Sequence, residues 1–247
     1  MSKAKNRHEE GEVIVDKKTL GIIGGVGPLA TMFIGEMIVR KTVAEKDQDH
    51  VNMIITNNTN IPDRTAFILD QSNEDPVPLI ISDAHRLEST GAEVLAMPCN
   101  TAHSFLNRIQ AGTDLPVINM IRETVSRAVY NGNQNIGILA TTGTIQTGVY
   151  QAECKEFGID YTVSDTYIQS VVMSIIYDDI KAGKPVTREK WTTVEQAMFN
   201  AGCDKIILGC TELSLVKHDL LLNGRYIDSL QVLAEAAIES CGYEVKR

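Results

Sequence analysis

Short apolar runs alternate with stretches whose apolar positions recur every three to four residues, and the alternation continues along the whole chain. Leu20 to Ile23, Val51 to Thr56, Glu93 to Met97, Pro116 to Ile118, Asn135 to Ala140 and Lys205 to Leu208 predict buried strands. Most are β-branched, and Gly, Pro or Asn bounds them. Between the second and third runs, Ile80, Ala84 and Leu87 share one helical face, and Gly91 ends that helix. Trp191, Val194, Ala197 and Met198 form a second stripe that stops at Gly202, and Leu230, Leu233, Ala237 and Cys241 form a third. Strand-helix alternation of this kind predicts an α/β fold with parallel strands covered on both faces.

The pattern also repeats. Leu20-Gly-Ile-Ile-Gly-Gly-Val-Gly-Pro-Leu-Ala-Thr31 has a counterpart in Ile136-Gly-Ile-Leu-Ala-Thr-Thr-Gly-Thr-Ile-Gln-Thr147, each a strand, a small-residue turn and a helix start. Gly91-Ala-Glu-Val-Leu-Ala-Met-Pro-Cys-Asn-Thr101 matches Gly202-Cys-Asp-Lys-Ile-Ile-Leu-Gly-Cys-Thr211. Two similar α/β halves follow, each with a cysteine at the carboxyl end of a strand. Ligands of open α/β sheets bind beyond those ends, so two facing halves would bring Cys99 and Cys210 to one cleft.

A length of 247 residues admits one large domain or two smaller ones. No apolar run reaches the roughly 18 residues of a membrane helix. Residues 1–18 mix lysine, arginine, glutamate and aspartate, without the apolar centre of a signal peptide, which predicts a charged extension on a cytoplasmic protein. The net charge of −9 disfavours nucleic acid and anionic membrane surfaces as partners, although one or two local cations can still hold an acidic substrate. Five cysteines, an odd number, argue against a disulfide framework.

Position separates those cysteines. Cys154, Cys203 and Cys241 lie inside helical stretches or before a strand and read as small buried hydrophobes. Cys99 and Cys210 stand at strand-to-helix junctions, where unpaired backbone N–H groups favour thiolate and can also receive a carboxylate; both are therefore expected as poised bases. Neither Cys99 with His103 nor Cys203 with Cys210 has the compact spacing of a zinc site, so no metal is expected. His103 could activate Cys99 as in a thiol hydrolase, but a histidine one turn after the cysteine more often packs or caps. Gly25-Val-Gly27-Pro-Leu-Ala30 fits the relaxed form of a dinucleotide turn. The next strand, however, ends in Thr56-Asn57-Asn58 rather than in an acid, and no phosphate-binding lysine follows the turn. The glycines are expected instead to let the backbone approach a small ligand.

Four segments in order carry a family resemblance: Gly24-Gly-Val-Gly-Pro-Leu-Ala-Thr31, Asn57-Asn-Thr-Asn-Ile-Pro-Asp-Arg-Thr65, Pro98-Cys-Asn-Thr-Ala-His103 and Gly209-Cys-Thr-Glu-Leu-Ser214. Together, between about Leu20 and Ala237, they resemble the aspartate/glutamate racemases, and Glu212, where glutamate racemases carry a histidine, is closer to the aspartate branch. The resemblance implies two pseudo-symmetric parallel-sheet α/β domains facing each other across a cleft. The first lobe would be 19–123 plus 226–247 and the second 124–225. It also implies a homodimer, no cofactor and no pyridoxal phosphate, and racemisation of acidic amino acids by Cys99 and Cys210. Substrate contacts would come from Asn58, Thr59, Arg64, Asn100, Thr101, Thr211 and Glu212, with Lys181 on a less secure alignment. Arg64 would receive the side-chain carboxylate and Glu212 would meet the ammonium.

The chemistry agrees, since racemisation needs two acid/base groups on opposite sides of one carbon, one charged and one protonated. Hydantoin racemases, maleate cis-trans isomerases and decarboxylases share the fold, and two lobes around a cleft also suit a protein that binds an amino acid without turnover.

Overall fold

The computed structural model describes residues 16–246, so 1–15 of the expected charged extension lie outside the described residues. Among the described residues, seven strands form two sheets, parallel throughout. The first holds β1 (Leu20–Gly24), β2 (Met53–Asn57) and β3 (Val94–Ala96) in the order β2-β1-β3. The second holds β4 (Asn135–Ala140), β5 (Asp160–Val163), β6 (Lys205–Gly209) and β7 (Tyr226–Asp228) in the order β5-β4-β6-β7. Each sheet puts its first strand in the middle, its second at an edge and its third on the other side, which is the sequence repeat expressed as topology. The central strands β1, β4 and β6 are buried along almost their whole length, consistent with their continuous apolar runs. Ile22 lies opposite Ile55 and Ala96, and Ile138 opposite Val163 and Ile207.

Two expectations change, and two strands were not expected. Pro116 to Ile118 makes a single parallel bridge, Val117 with Leu95, and does not extend into a strand; Pro116 has no N–H with which to continue one. β5 is a half-exposed edge strand, and β7 has three residues ending in Asp228, so neither has a buried-strand signature. β7 also corrects the expected lobe boundary: Tyr226–Asp228, grouped with the first lobe, pairs with β6 of the second sheet.

The chain returns to the first sheet only after β7. Leu230, Leu233, Ala234, Ala237 and Ile238 of helix Ser229–Ser240 pack with Leu20, Ile22, Ile34 and Ile38 in one buried cluster. Burying each such side chain is worth about 1.5–3 kcal/mol, enough for this stripe to anchor the helix on the far sheet. Helix Met120–Tyr130 spans both cores: Met120 joins the cluster around Ile22, while Ile121, Val125 and Ala128 pack with Ile136 and Ile138. The expected boundary between 123 and 124 therefore falls inside a helix that both halves share. No helix among the described residues is long and apolar enough to cross a membrane.

Candidate active site

Two cysteines reach one cavity from opposite sheets. After β3, Met97 and Pro98 lead to Cys99, whose N–H donates to the Met97 carbonyl at 2.8 Å. Cys210 follows β6 directly and is the N-cap of helix Thr211–Asp219. Both are 6% exposed, and both line a cavity shared with Val26, Asp63, Arg64, Thr65, Asn100, Thr101, Thr141, Tyr177, Lys181, Thr211 and Glu212. The cavity leaves about 10 Å³, room for a single water molecule. Beside it lies an outer vestibule of about 460 Å³, which shares Asp63, Arg64, Lys181 and Glu212 and adds Gly27, Leu29, Thr59, Ile180 and Leu215.

The two thiols do not have the same surroundings, and the expectation of two poised bases fails at Cys210. Its sulfur donates to Glu212 Oε2 at 2.9 Å. Burial and the Glu212 carboxylate push its pKa well above the usual thiol value, while Lys181 pulls it back only in part. Cys210 is therefore a protonated thiol in this arrangement, and the helix N-terminus does not outweigh a carboxylate in contact. At Cys99 the downstream element is only the 3₁₀ turn Thr101–Phe105. Its charged neighbour is the Arg64 guanidinium: burial pushes that group's pKa down, but Cys99, Asp63 and Glu212 push it up, and the net shift is upward.

Arg64 is placed by its own loop. Asp63 caps helix Arg64–Ile68, its Oδ1 accepting the Ala66 N–H at 2.8 Å. The guanidinium folds back so that Nη1 donates to the carbonyls of Ile61 and Pro62, at 3.3 and 3.0 Å. Nε is buried without a hydrogen-bond partner among the described residues. A buried charged donor left in this state calls for an acceptor, and a carboxylate suits it best.

From the other half, helix Thr166–Ser174 runs into a π-helical turn, Ile175–Ile180, which directs Tyr177 and Lys181 to the cavity. Tyr177 donates to Asp63 Oδ2 at 3.3 Å, and Lys181 Nζ lies 3.8 Å from the same oxygen and 4.0 Å from the Tyr177 ring centre. Burial pushes the Asp63 carboxyl up, but the Ala66 amide, Lys181, Arg64 and Tyr177 together hold it below its usual range. These contacts cross between the halves and lie where the cavity meets the vestibule.

The expected substrate contacts divide. Arg64, Thr101, Thr211, Glu212 and Lys181 line the cavity with both cysteines. Thr101 shares its hydroxyl with Thr141 and Thr144, at 3.0 and 2.9 Å. Asn100 lines the cavity too, but its side chain is engaged elsewhere: Oδ1 accepts from Tyr150 at 2.5 Å and Nδ2 donates to Ser229 at 3.0 Å. Thr59 reaches only the vestibule. Asn58 accepts the Asn60 N–H and packs under the first glycine turn, outside both spaces. Gly25 lines the vestibule as Gly27 does, but that packing gives it a second reason to be glycine, since a Cβ there (φ +87°) would sit 2.3 Å from the Asn58 backbone. The turn needs glycine there to approach its own chain, whereas one on Gly27 would stand 3.3 Å from Glu212 Oε1, at the site itself.

His103 packs and pins rather than activates. Nδ1 donates to the Cys99 carbonyl at 2.8 Å, and Nε2 accepts the Met120 N–H at 3.2 Å, a tautomer assigned from the network. Burial lowers its pKa, so the ring stays neutral. Burial raises the thiols of Cys154 and Cys241 to about 11, as expected of inert core cysteines. The sequence reading missed Asp63, Thr65, Thr141 and Tyr177. Asp63 had a signal, as the acid directly before Arg64; Tyr177 had none, because a π turn breaks helical spacing.

Comparison with known proteins identifies the family. The solved structure of Picrophilus torridus aspartate racemase superposes with a TM-score of 0.80 at 32% identity, over 93% of this chain and 96% of that one. The broad specificity amino-acid racemase RacX of Bacillus subtilis is 29% identical over 90% of this chain and 97% of its own length. Glutamate racemase from Francisella tularensis, in complex with D-glutamate, shares the fold at a TM-score of 0.64 and 18% identity, over 92% of this chain and 81% of that one. Residues 23–237 match the family described as Asp/Glu/Hydantoin racemase, and with the four motifs in order and both cysteines in one cavity, the chain belongs to that family.

Proposed function

We propose that this protein racemises acidic amino acids, aspartate or glutamate or both, without a cofactor, by passing the Cα proton between Cys99 and Cys210. One observation carries the reading: two cysteines from different sheets line one cavity, one beside a guanidinium and the other hydrogen-bonded to a carboxylate. Two-base racemisation needs one sulfur to begin as thiolate and the other as thiol, and these unequal neighbours favour that division.

In one direction the Cys99 thiolate, beside Arg64, removes the Cα proton, and the S–H of Cys210 delivers its own proton to the opposite face. The step ends with Cys99 as thiol and Cys210 as thiolate, and the reverse step starts from that state. Lys181 offsets the charge then left on Cys210 next to Glu212, since it already pulls the Cys210 pKa down. Backbone N–H groups at the start of helix Thr211–Asp219, with the Thr101 and Thr211 hydroxyls, stabilise the charge that flows into the α-carboxylate. Arg64 receives the second carboxylate through its unpartnered Nε, with Lys181 beside it. Glu212 faces the ammonium. Aspartate cannot enter about 10 Å³, so admission parts Asp63 from Tyr177 and Lys181, and the two lobes close again around the substrate.

RacX, named for broad specificity and matched along 97% of its length, supports a second reading in which the same site takes a wider range of amino acids. The apolar side chains of the vestibule, Leu29, Ile180 and Leu215, fit such a range. Chiral chromatography after incubation with each enantiomer of aspartate and glutamate, and then with neutral amino acids, tests both. Conversion of the acidic pairs alone supports the first, conversion of neutral pairs at similar kcat/KM supports the second, and no conversion of any would refute both.

A further inference from the structure

The side chain of Asn100 occupies the centre of a buried relay that ties one cysteine to the other. Tyr150, in helix Val149–Phe157, is fully buried, and its hydroxyl donates to Asn100 Oδ1 at 2.5 Å. Asn100 Nδ2 donates to the Ser229 hydroxyl at 3.0 Å, and Ser229 in turn donates to the Leu208 carbonyl at 2.6 Å. Asn100 directly follows Cys99, and Leu208 stands two residues before Cys210 in β6. The path therefore runs from the Cys99 loop, through one amide and one hydroxyl, into the strand that carries Cys210. Asn100 is 2% exposed and Ser229 and Tyr150 are 0%, so water does not compete for these bonds. Burial also raises the Tyr150 phenol, so it remains a hydrogen-bond donor throughout the usual pH range.

We propose that Tyr150 and Ser229 are positioning residues that fix the separation of Cys99 and Cys210 through the side chain of Asn100. Neither lines the cavity or the vestibule. The proposal rests on the two-cysteine racemase reading and assigns a purpose to two polar groups in the core that the reading leaves unused. Placement matters because proton transfer at one carbon from two sides tolerates little error, and a misplacement of about 1 Å costs on the order of 100-fold in rate.

The test uses the full chain and compares Tyr150→Phe and Ser229→Ala with the parent and with Val194→Ala, a core change elsewhere that controls for lost stability. D- and L-aspartate and D- and L-glutamate are incubated in heavy water, and Cα deuterium is followed separately in remaining substrate and in product. If the relay sets the spacing, Ser229→Ala, which cuts the path to β6, and Tyr150→Phe, which frees the Asn100 amide on its other side, each lower kcat for racemisation by about 10- to 100-fold with KM changed less than about threefold. In each variant the remaining substrate gains deuterium relative to product, because one sulfur still removes the proton while the other no longer returns it on the far face. Val194→Ala leaves that ratio at the parent value. A Ser229→Ala or Tyr150→Phe protein with parental kcat, or with both labels reduced in proportion, would overturn the proposal. Should the parent turn over none of the four, the racemase reading fails on its own. Crystal structures of the parent and Tyr150→Phe then decide the relay: a wider separation of the two sulfurs supports it and an unchanged one refutes it.

Discussion

Cys99 and Cys210 hold matching positions at the ends of their strands and differ in the charge beside them. Each cysteine stands past the carboxyl end of a strand that pairs with its sheet's central strand, and each is equally buried. Yet Cys99 has a guanidinium for a neighbour, whereas Cys210 has a carboxylate that accepts its hydrogen. The repeat supplies matched placement, and residues outside it supply the difference: Arg64 comes from the loop after β2, and Glu212 has no acidic counterpart after Cys99, where Ala102 follows Thr101. Close thiols with equal surroundings would share one proton without preference, whereas the neighbours here place it on Cys210.

The largest effect comes from removing either member. Cys99→Ala and Cys210→Ala are each expected to lower racemisation by about 10³-fold or more in both directions, measured by chiral chromatography. Arg64→Ala is next, because it removes both the carboxylate partner and the cation beside Cys99. A loss of about 100-fold in kcat/KM is expected for the acidic substrates, with Arg64→Lys recovering little, since ammonium lacks the planar fork. Glu212→Gln sharpens the comparison most. Without the negative neighbour that favours its thiol, Cys210 loses its proton at lower pH. The alkaline limb of the kcat profile, set by loss of that proton and lying above the ordinary thiol range in the parent, therefore moves to lower pH. An unmoved limb would separate Glu212 from Cys210.

Two smaller effects concern the frame. Leu233→Ala is expected to cost about 2–5 kcal/mol in denaturant unfolding, because it leaves a hole where the last helix meets the first sheet. His103 makes stability depend on pH with a definite sign. Its folded pKa is depressed by burial below the unfolded value of 6.5, so its contribution is complete above that value. It is lost as pH falls from there toward the folded pKa, where only the unfolded chain takes up the proton. The melting temperature of the parent should therefore drop more steeply between about pH 7 and about pH 5.5 than that of His103→Asn.

Much of this was readable in the chain. The central strands stood out because strands buried on both faces are continuous apolar runs, and β4 runs from Asn135 to Ala140 as expected. The edges did not: β5 is half exposed, and β7 is three residues long and ends in an aspartate, which leaves nothing periodic to detect. Cys99, Cys210, Arg64, Thr101, Thr211 and Glu212, which strand ends and motifs pointed to, meet at one cavity, and Lys181, expected from the resemblance alone, lines it with them. Protonation was harder to read than position. The Cys210 thiol depends on how closely Glu212 approaches in three dimensions, and an argument from helix ends alone gives the opposite sign. The role of Asn100 depends on Tyr150, fifty residues away, and on Ser229, 129 residues away, and a tyrosine within an apolar helix face carries no sign of such a partner.

The central claim, that one sulfur takes the proton and the other returns a different one, is tested most directly by the early deuterium distribution in heavy water. With either enantiomer of an acidic amino acid, the account predicts product labelled at Cα while remaining substrate stays unlabelled. Product that keeps the original proton, formed at the same rate by Cys210→Ala, would place a single base at the site and contradict the account.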